Sequence, residues 1–363
     1  MKIVIIRIFH TSLKLVRIYF KIYIAVDGGN FNMRMKREND YTIGYFLLIL
    51  GGITFLFSPS FRLENGAVPE YMKTFNMIFI SIIIEAIPFV LIGVFIAGII
   101  QVFVTEEHIR RLIPKNKVLA IVTSCLIGAL FPACECGIVP IVRRLVAKGV
   151  PLFAGVGFLL TGPLINPIVI FSTYMAFGED IKMASYRMGI GFIIAVVIVC
   201  FIASLFRNNQ LKISKNTFTE NLSIENPSLT KRINAMFEHA VDEFFDMGKF
   251  LIIGAMLAAG VQTFVATKSI LGIGEGIIVS TMVMMGLAYI LSLCSEADAF
   301  IASSFRHLFH QTSILGFLIY GPMLDLKNSI MLFAVFKFKF VIVLMFVITV
   351  TVFSVLLLIH PFI

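Results

Sequence analysis

Residues 118–142 read VLAIVTSCLIGALFPACECGIVPIV, an apolar stretch interrupted by proline, cysteine and glutamate. Pro132 ends a helix that enters from residue 118, and about 20 residues are needed to cross the core of a bilayer. Residues 118–132 are therefore too short to span. Gly137 tolerates unusual backbone angles, and non-helical backbone at membrane depth requires protein or water around it. The stretch predicts a re-entrant hairpin whose tip borders a cavity.

Composition places this hairpin in an integral membrane protein. Hydrophobic residues make up 59% of the 363 residues and charged residues 14%, against roughly 45–50% and about 25% in soluble chains. We therefore expect an all-α polytopic protein that is embedded in a lipid bilayer. The apolar segments are 42–58, 75–104, 118–142, 150–178, 187–206, 246–267, 276–305, 312–336 and 339–360.

The net charge of +9 does not indicate a nucleic-acid partner. Residues 1–37 hold eight Lys or Arg and one Asp, so most of the excess lies at the N-terminus. Residues 1–41 form a basic segment with three interpretations: an interfacial helix, an added targeting tail, or a translation start at Met33 or Met35 that leaves 1–32 untranslated. Basic residues interrupt the apolar stretch in this segment, whereas a signal peptide has an unbroken apolar core after its basic start.

The chain contains an internal repeat. Three pairs of segments match in the same order with offsets of about 160 residues, and Gly93 pairs with Gly254 within the first match. The matched pairs are Pro88–Val104 with Lys249–Val265, Cys134–Cys136 with Cys294–Glu296, and Thr161–Pro167 with Tyr320–Leu326. The predicted organisation is an extra N-terminal transmembrane helix with the first repeat over 42–206, a cytoplasmic linker over 207–245, and the second repeat over 246–363.

Loop charges favour three crossings in each half. If all nine segments span, the loops hold 12 basic residues inside and 11 outside, counted from Arg34. If 118–142 and 276–305 are re-entrant, the count is 17 inside and six outside, as expected from the excess of Lys and Arg in cytoplasmic loops. Three crossings per half make the two repeats inverted, which is a frequent transporter design.

Chemistry-bearing side chains concentrate at the two hairpin tips. The five cysteines are an odd number within apolar stretches, which indicates free thiols rather than a disulfide framework. Thiolates bind Cu(I), Zn, Cd and trivalent arsenic or antimony, although buried cysteines also serve as small hydrophobic residues. Intramembrane carboxylates are costly and mark function by default. Inverted symmetry would bring the two tips together in one site near the membrane midplane. The predicted metal ligands there are Cys134, Cys136, Cys294 and Glu296, with Glu135 and Asp298 completing the substrate site.

Two Gly-Pro kinks add candidates in matching positions of the halves. Asn166 and Asp325 follow these kinks and offer side-chain oxygens to a substrate, although Lys327 makes a local ion pair an alternative for Asp325. Glu85, in the first long segment, is a proton-coupling candidate.

The sequence resembles a family of predicted bacterial permeases that includes the organoarsenical efflux permease ArsP, and is similar to a branch found in Gram-positive bacteria. The resemblance covers about residues 75–340. It implies a multi-pass plasma-membrane permease in which Cys134, Cys136 and Cys294 handle a trivalent metalloid. It also implies that a separate membrane-associated partner subunit can take part. The motifs that carry it are FPACECGIVPIVRRLVAKGVPL (131–152), GPLINPIVIFSTYMAFG (162–178), LSLCSEADAFIASSF (291–305) and GPMLDLKN (321–328).

The leading hypothesis is a secondary permease that exports a thiophilic metal ion or metalloid and is not an enzyme. The chain carries no GxxxxGK[ST] motif for nucleotide binding, and we expect no cofactor. Two alternatives stay open: an intramembrane thiol redox enzyme that uses Cys134 and Cys136, or a membrane subunit without transport of its own. A homo-oligomer is a further expectation.

Overall fold

Helices make up nearly all of the part of the chain that the structure describes. The computed structural model describes residues 70–103, 114, 116–131, 134–206, 208–212, 229–264 and 276–362. The predictions for 1–41, for the helix over 42–58 and for Pro132 lie outside these residues. The helices are α1 (Glu70–Phe103), α2 (Lys117–Leu130), α3 (Glu135–Ala147), α4 (Leu152–Ile165), α5 (Pro167–Ala176), α6 (Ile181–Leu205), α7 (Leu229–Phe264), α8 (Ile277–Leu291), α9 (Ser295–Ser304), α10 (Gln311–Met323), α11 (Leu326–Val335) and α12 (Phe338–Ile359).

Six helical segments of the described residues are long and apolar enough to cross a membrane. Two of them are broken in the middle, because α4 and α5 form one segment and α10 and α11 form another. All six overlap segments that the sequence marks as crossings when 118–142 and 276–305 are re-entrant. The segments are Tyr71–Phe103, Leu152–Ala176, Ile181–Leu205, Ile233–Phe264, Gln311–Val335 and Phe338–Phe362.

The same order of helices occurs twice. A long helix is followed by a pair of short helices, a broken helix and a final straight helix, first over α1–α6 and then over α7–α12. The short helices α2 and α8 have 14 and 15 residues, which is about 21–23 Å of helix against a hydrocarbon core of about 30 Å. The repeat in element order is thus visible in the fold, while the inverted relation of the halves stays a prediction.

Contacts between loops favour the re-entrant course. Leu211 pairs with Phe336 in a single β-bridge, and the Lys337 amide donates to the Gln210 carbonyl. A second contact joins the loop after α9 to the loop after α5, where Arg306 Nη1 donates to the Phe177 carbonyl. If all nine segments spanned, the members of each pair would lie on opposite sides of the membrane. If 118–142 and 276–305 are re-entrant, they lie on the same side, as the charge count predicts.

Burial is distributed as expected for a protein in lipid. Large apolar side chains are exposed along the outer helix faces, as at Ile84 and Phe346, whose exposed fractions are 64% and 68%. Charged side chains are buried inside the bundle. Because lipid tails are as apolar as leucine, charged residues in membrane segments face the bundle interior rather than the lipid. The buried charged residues are Glu135, Arg144, Arg187, Glu243, Asp298, Asp325 and Lys327.

The predicted linker over 207–245 is helical from Leu229 onward, where α7 begins. Its polar residues suggested a loop, but every third or fourth residue packs inward. Met236, Ala240, Glu243 and Met247 are all buried, which is the spacing of one helix face. Glu243 accepts hydrogen bonds from Arg144 Nε at 2.8 Å and Arg143 Nη1 at 2.9 Å. The helix thus extends beyond its apolar part because two arginines of α3 pair with it.

Candidate functional site

The first hairpin tip gathers two thiols and a carboxylate inside the protein. Cys134 is the N-cap of α3, and Glu135 and Cys136 form its first turn. All three are buried, with exposed fractions of 5%, 2% and 1%. The Cys134 and Cys136 side chains lie close enough to interact directly. Cys134 lies at the extended cap residue and Cys136 in the first helical turn, so the two thiols occupy the start of the same helix.

The second tip repeats this arrangement with one thiol. Cys294 is the N-cap of α9, and its sulfur accepts a hydrogen bond from the Ala297 amide at 3.3 Å. The Cys294 side chain also interacts electrostatically with Glu296 and, from α1, with Glu85. Glu85, the candidate for proton coupling, thus lies beside Cys294, one of the predicted metal ligands.

Lys327 links the two tips. Its Nζ lies 3.1 Å from Glu135 Oε1 and 3.8 Å from Asp325 Oδ2. It donates a weaker hydrogen bond of 3.4 Å to the Ser292 carbonyl at the second tip. The local pair with Asp325 was anticipated from the sequence, but the closer contact with Glu135 was missed. A lysine within an apolar segment was the available signal, since such a charge needs a partner.

Arg187 is a second buried cation that the sequence analysis misplaced. Arg187 is the first residue of the apolar segment 187–206 and is one of the six basic residues that the charge count placed in outside loops, yet it is fully buried in α6. Its Nη1 donates to Thr173 Oγ1 at 2.7 Å and its Nη2 to the Ser295 carbonyl at 3.1 Å. The positive charge of the Arg187 guanidinium also attracts the Asp298 carboxylate electrostatically. Its spacing from the buried residues Met183, Ile190 and Ile194 was a signal that it belonged to the inward face of α6.

Several buried polar atoms around these cations lack a hydrogen-bond partner. Such atoms are rare in folded proteins, and each one calls for a ligand, a water or a functional role. The Lys327 ammonium is near Glu135 but not in hydrogen-bonding geometry. The atoms are Oε1 and Oε2 of Glu135, Nε of Arg187, Oγ of Ser295, Oδ1 and Oδ2 of Asp298, Oδ2 of Asp325 and Oδ1 of Asn328.

The matched residues Asn166 and Asp325 have the same local role. The side chain of Asn166 caps α5 by accepting from the Val169 amide at 2.9 Å, and Asp325 caps α11 by accepting from the Asn328 amide. Asn166 Nδ2 also donates to the Gly162 carbonyl. Both residues therefore bridge the break in a kinked helix. Asp325 keeps Oδ2 without a hydrogen bond, at 3.8 Å from Lys327 Nζ.

Glycines allow the tip helices to lie close to their neighbours. A methyl group on Gly93 of α1 would lie 2.2 Å from the Gly137 carbonyl oxygen of α3. The matched Gly254 of α7 approaches the Lys327 backbone, since a methyl group there would lie 3.3 Å from it. A methyl group on Gly321 of α10 would lie 2.7 Å from Asp298 Oδ2. The backbones of the long helices thus pack directly against the residues of the site.

The predicted metal ligands form two groups rather than one. Cys134 and Cys136 lie together beside the charges of Glu135 and Lys327, while Cys294 contacts Glu85 and Glu296. Within the described ranges, no group of three or more His, Cys, Asp or Glu side chains is arranged to hold a metal ion. The arrangement therefore offers a pair of sulfur atoms, with carboxylates nearby, rather than a closed cage.

Comparison with known proteins identifies the family. The model of the ArsP_1 family, described as a predicted permease, matches residues 71–360. The chain is 51% identical over 284 residues to the UPF0718 protein YcgR of Bacillus subtilis, which covers 78% of this chain and 96% of the relative. It is 40% identical over 264 residues to a putative two-component membrane permease complex subunit of Streptococcus mutans, which covers 73% of this chain and 87% of the relative.

No solved structure matches the chain significantly. The six apolar segments agree with a multi-pass protein of the bacterial plasma membrane. Because the family model matches residues 71–360 and the Bacillus subtilis relative is 51% identical, the chain belongs to the predicted permease family.

Proposed function

We propose that this permease exports a soft metal cation or a trivalent metalloid, and that Cys134 and Cys136 bind it. The observation that carries the proposal is the pair of adjacent buried thiols beside carboxylate oxygens that accept no hydrogen bond. Sulfur ligands select Cu(I), Zn, Cd and trivalent arsenic or antimony. Two sulfur atoms suit an acceptor that needs few protein ligands, such as Cu(I) or a trivalent metalloid that keeps another substituent.

The charges around the thiols support a positively charged substrate or coupled protons. Five carboxylates surround the tips, against the two buried cations Arg187 and Lys327, which leaves an excess of three negative charges when all are ionised. Burying unpaired charges is costly, so protons or a bound cation have to offset the excess. The carboxylates are Glu85, Glu135, Glu296, Asp298 and Asp325.

Lys327 gives the site a resident cation. Its ammonium lies between Glu135 and Asp325. A cation bound by Cys134 and Cys136 would compete with Lys327 for Glu135, the residue between the two cysteines. Glu85 lies beside the Cys294 side chain, and a carboxylate next to a proposed ligand is where a proton-coupling group would act.

Metal analysis of the purified protein tests the proposal. Wild-type protein and the triple variant Cys134→Ser, Cys136→Ser, Cys294→Ser are loaded with Cu(I), Zn or trivalent arsenic and then desalted. The matched control is Cys125→Ser, Cys200→Ser, which removes thiols away from the tips. We expect binding to be lost in the triple variant and kept in the control. Equal binding by all three proteins would eliminate the thiol site.

A second candidate function is that of a membrane subunit in a two-component permease. It is favoured by the Streptococcus mutans relative, whose name describes it as such a subunit. If this holds here, the purified chain alone moves no ion in vesicles, and co-reconstitution with the partner subunit restores the flux. Activity of the chain alone would contradict it.

The family suggests a transporter rather than an enzyme. The intramembrane redox alternative uses the same two cysteines, Cys134 and Cys136, and makes a different prediction. Mixed disulfides with partner proteins should then accumulate when one cysteine is replaced by serine. Failure to trap them, together with metal binding, leaves the permease proposal in place.

A further inference from the structure

A cavity of about 190 Å³ lies between α3, the middle of α7 and the end of α11, away from the hairpin tips. It is smaller than the roughly 300–1,000 Å³ of pockets for drug-sized ligands, so it suits a compact group. Three basic side chains and one acid line it, together with apolar side chains. The lining residues are Arg143, Lys212, Asp246, Met247, Lys249, Phe250, Ala334 and Val335.

The cations at this cavity exceed the acids around them. Arg143 pairs with Glu243 at 2.9 Å, but Glu243 is shared with Arg144. Lys249 pairs with Asp246 at 2.9 Å. Lys212 donates to the Phe333 carbonyl instead, and none of the salt bridges in the described residues includes it. Four cations, with Arg143 also 3.9 Å from Asp246, therefore face three carboxylates, because Asp242 acts on Arg144 as well. This leaves one positive charge to be balanced by an anion.

The cavity also lies at the side of the membrane that the charge count assigns to the cytoplasm. The charge count places residues 143–148, 207–232 and 337–339 on the cytoplasmic side. Arg143 belongs to the first of these stretches and Lys212 to the second, and Val335 lies just before the third. Lys337 and Lys339 in that third loop are exposed. Basic pockets between transmembrane helices on this side bind anionic lipid headgroups. The apolar side of the cavity, formed by Met247 and Phe250, suits the glycerol end of a lipid.

We propose that this cavity binds a phosphate-bearing anion, with Lys212 and Lys249 as its main ligands and Arg143 as the third cation. The two sources of that chemistry are an anionic phospholipid and free phosphate. The site is independent of the proposed transport chemistry, since none of its residues belongs to the hairpin tips.

The test measures binding to the full-length purified protein with two probes. One probe is a vesicle of phosphatidylglycerol, compared with phosphatidylcholine, and the other is inorganic phosphate. The variant Lys212→Gln, Lys249→Gln removes two cations from the cavity. The control Lys73→Gln, Lys182→Gln removes two exposed lysines from segments counted on the other side.

We expect the cavity variant to bind phosphatidylglycerol roughly thirty-fold more weakly, at about tenfold per 1.4 kcal/mol, while the control binds like wild type. Asp246→Asn removes the acid from the lining and should strengthen binding. If inorganic phosphate binds with the same dependence on these residues, the ligand is the free anion. Equal loss in the cavity variant and the control, or no loss in either, would overturn the proposal.

Discussion

The Lys327 ammonium lies 3.1 Å from Glu135 Oε1, and the two side chains come from opposite halves of the chain. Both residues are buried, with exposed fractions of 4% and 2%. A buried ion pair contributes little net stability, but removing one partner leaves an uncompensated buried charge. The pair therefore ties the first hairpin tip to the helix α11 that follows the second kink.

This relationship predicts an asymmetry between single and double replacement. Lys327→Met should destabilise the protein by about 3–5 kcal/mol, because Glu135 and Asp325 then lose their common cation. Adding Glu135→Gln to Lys327→Met should recover part of this loss. Unfolding of the purified protein in detergent measures both. A double variant that is no more stable than Lys327→Met alone would show that the pair is not coupled.

Arg187 is predicted to hold α6, α5 and α9 together. Arg187→Met removes the hydrogen bonds to Thr173 and Ser295 and deprives Asp298 of the opposing charge of the guanidinium, so a loss of about 3–5 kcal/mol is expected. Arg187→Lys keeps the charge but not the two-armed geometry, and should lie between Arg187→Met and wild type. Equal unfolding midpoints for the Met and Lys variants would argue against a role of the charge.

Gly93 should not tolerate a side chain. Gly93→Ala would place a methyl group 2.2 Å from the Gly137 carbonyl oxygen, which the backbone can relieve only by moving the first tip. We expect a loss of about 1–3 kcal/mol. Gly189→Ala is the matched control, because nothing lies within 4 Å of its added methyl group. Similar unfolding midpoints for the two variants would mean that α1 and α3 do not pack in such close contact.

Glu243 and Asp246 lie one turn apart on α7 but should differ in importance. Glu243 is 1% exposed and pairs with both Arg143 and Arg144, so Glu243→Gln should cost about 3–5 kcal/mol. Asp246 is 45% exposed, and an exposed pair contributes about 0–1 kcal/mol. Thermal unfolding in detergent separates the two, and a larger loss for Asp246→Asn than for Glu243→Gln would contradict the assignment.

Local features of the site could be predicted from the sequence. The CxC spacing brings Cys134 and Cys136 together, and the matched positions Asn166 and Asp325 both cap a helix after a Gly-Pro kink. The paired glycines Gly93 and Gly254 both mark close helix contacts. These features depend on proline, glycine and capping chemistry within a few residues, which is why a repeat in the sequence is sufficient to reveal them.

Long-range partners could not be predicted in the same way. Arg187 and Ser295 are 108 residues apart, and Arg144 and Glu243 are 99 apart. Arg187 stands near the start of an apolar segment, where a charge is equally compatible with a solvated loop. Only the packing of α6 against α5 and α9 decides that it is buried. The same holds for the division of the cysteines into two groups, because their separation depends on how the two tips meet.

Flux through vesicles that contain the purified protein tests the central claim most directly, with the partner subunit included if the chain alone is inactive. Wild-type protein, the double variant Cys134→Ser, Cys136→Ser and the control Cys125→Ser, Cys200→Ser are compared for Cu(I) and trivalent arsenic. We predict that flux falls at least tenfold in the double variant, as expected for loss of about 1.4 kcal/mol or more of substrate binding, and is retained in the control. Unchanged flux in the double variant would contradict the assignment of these two thiols as the substrate ligands.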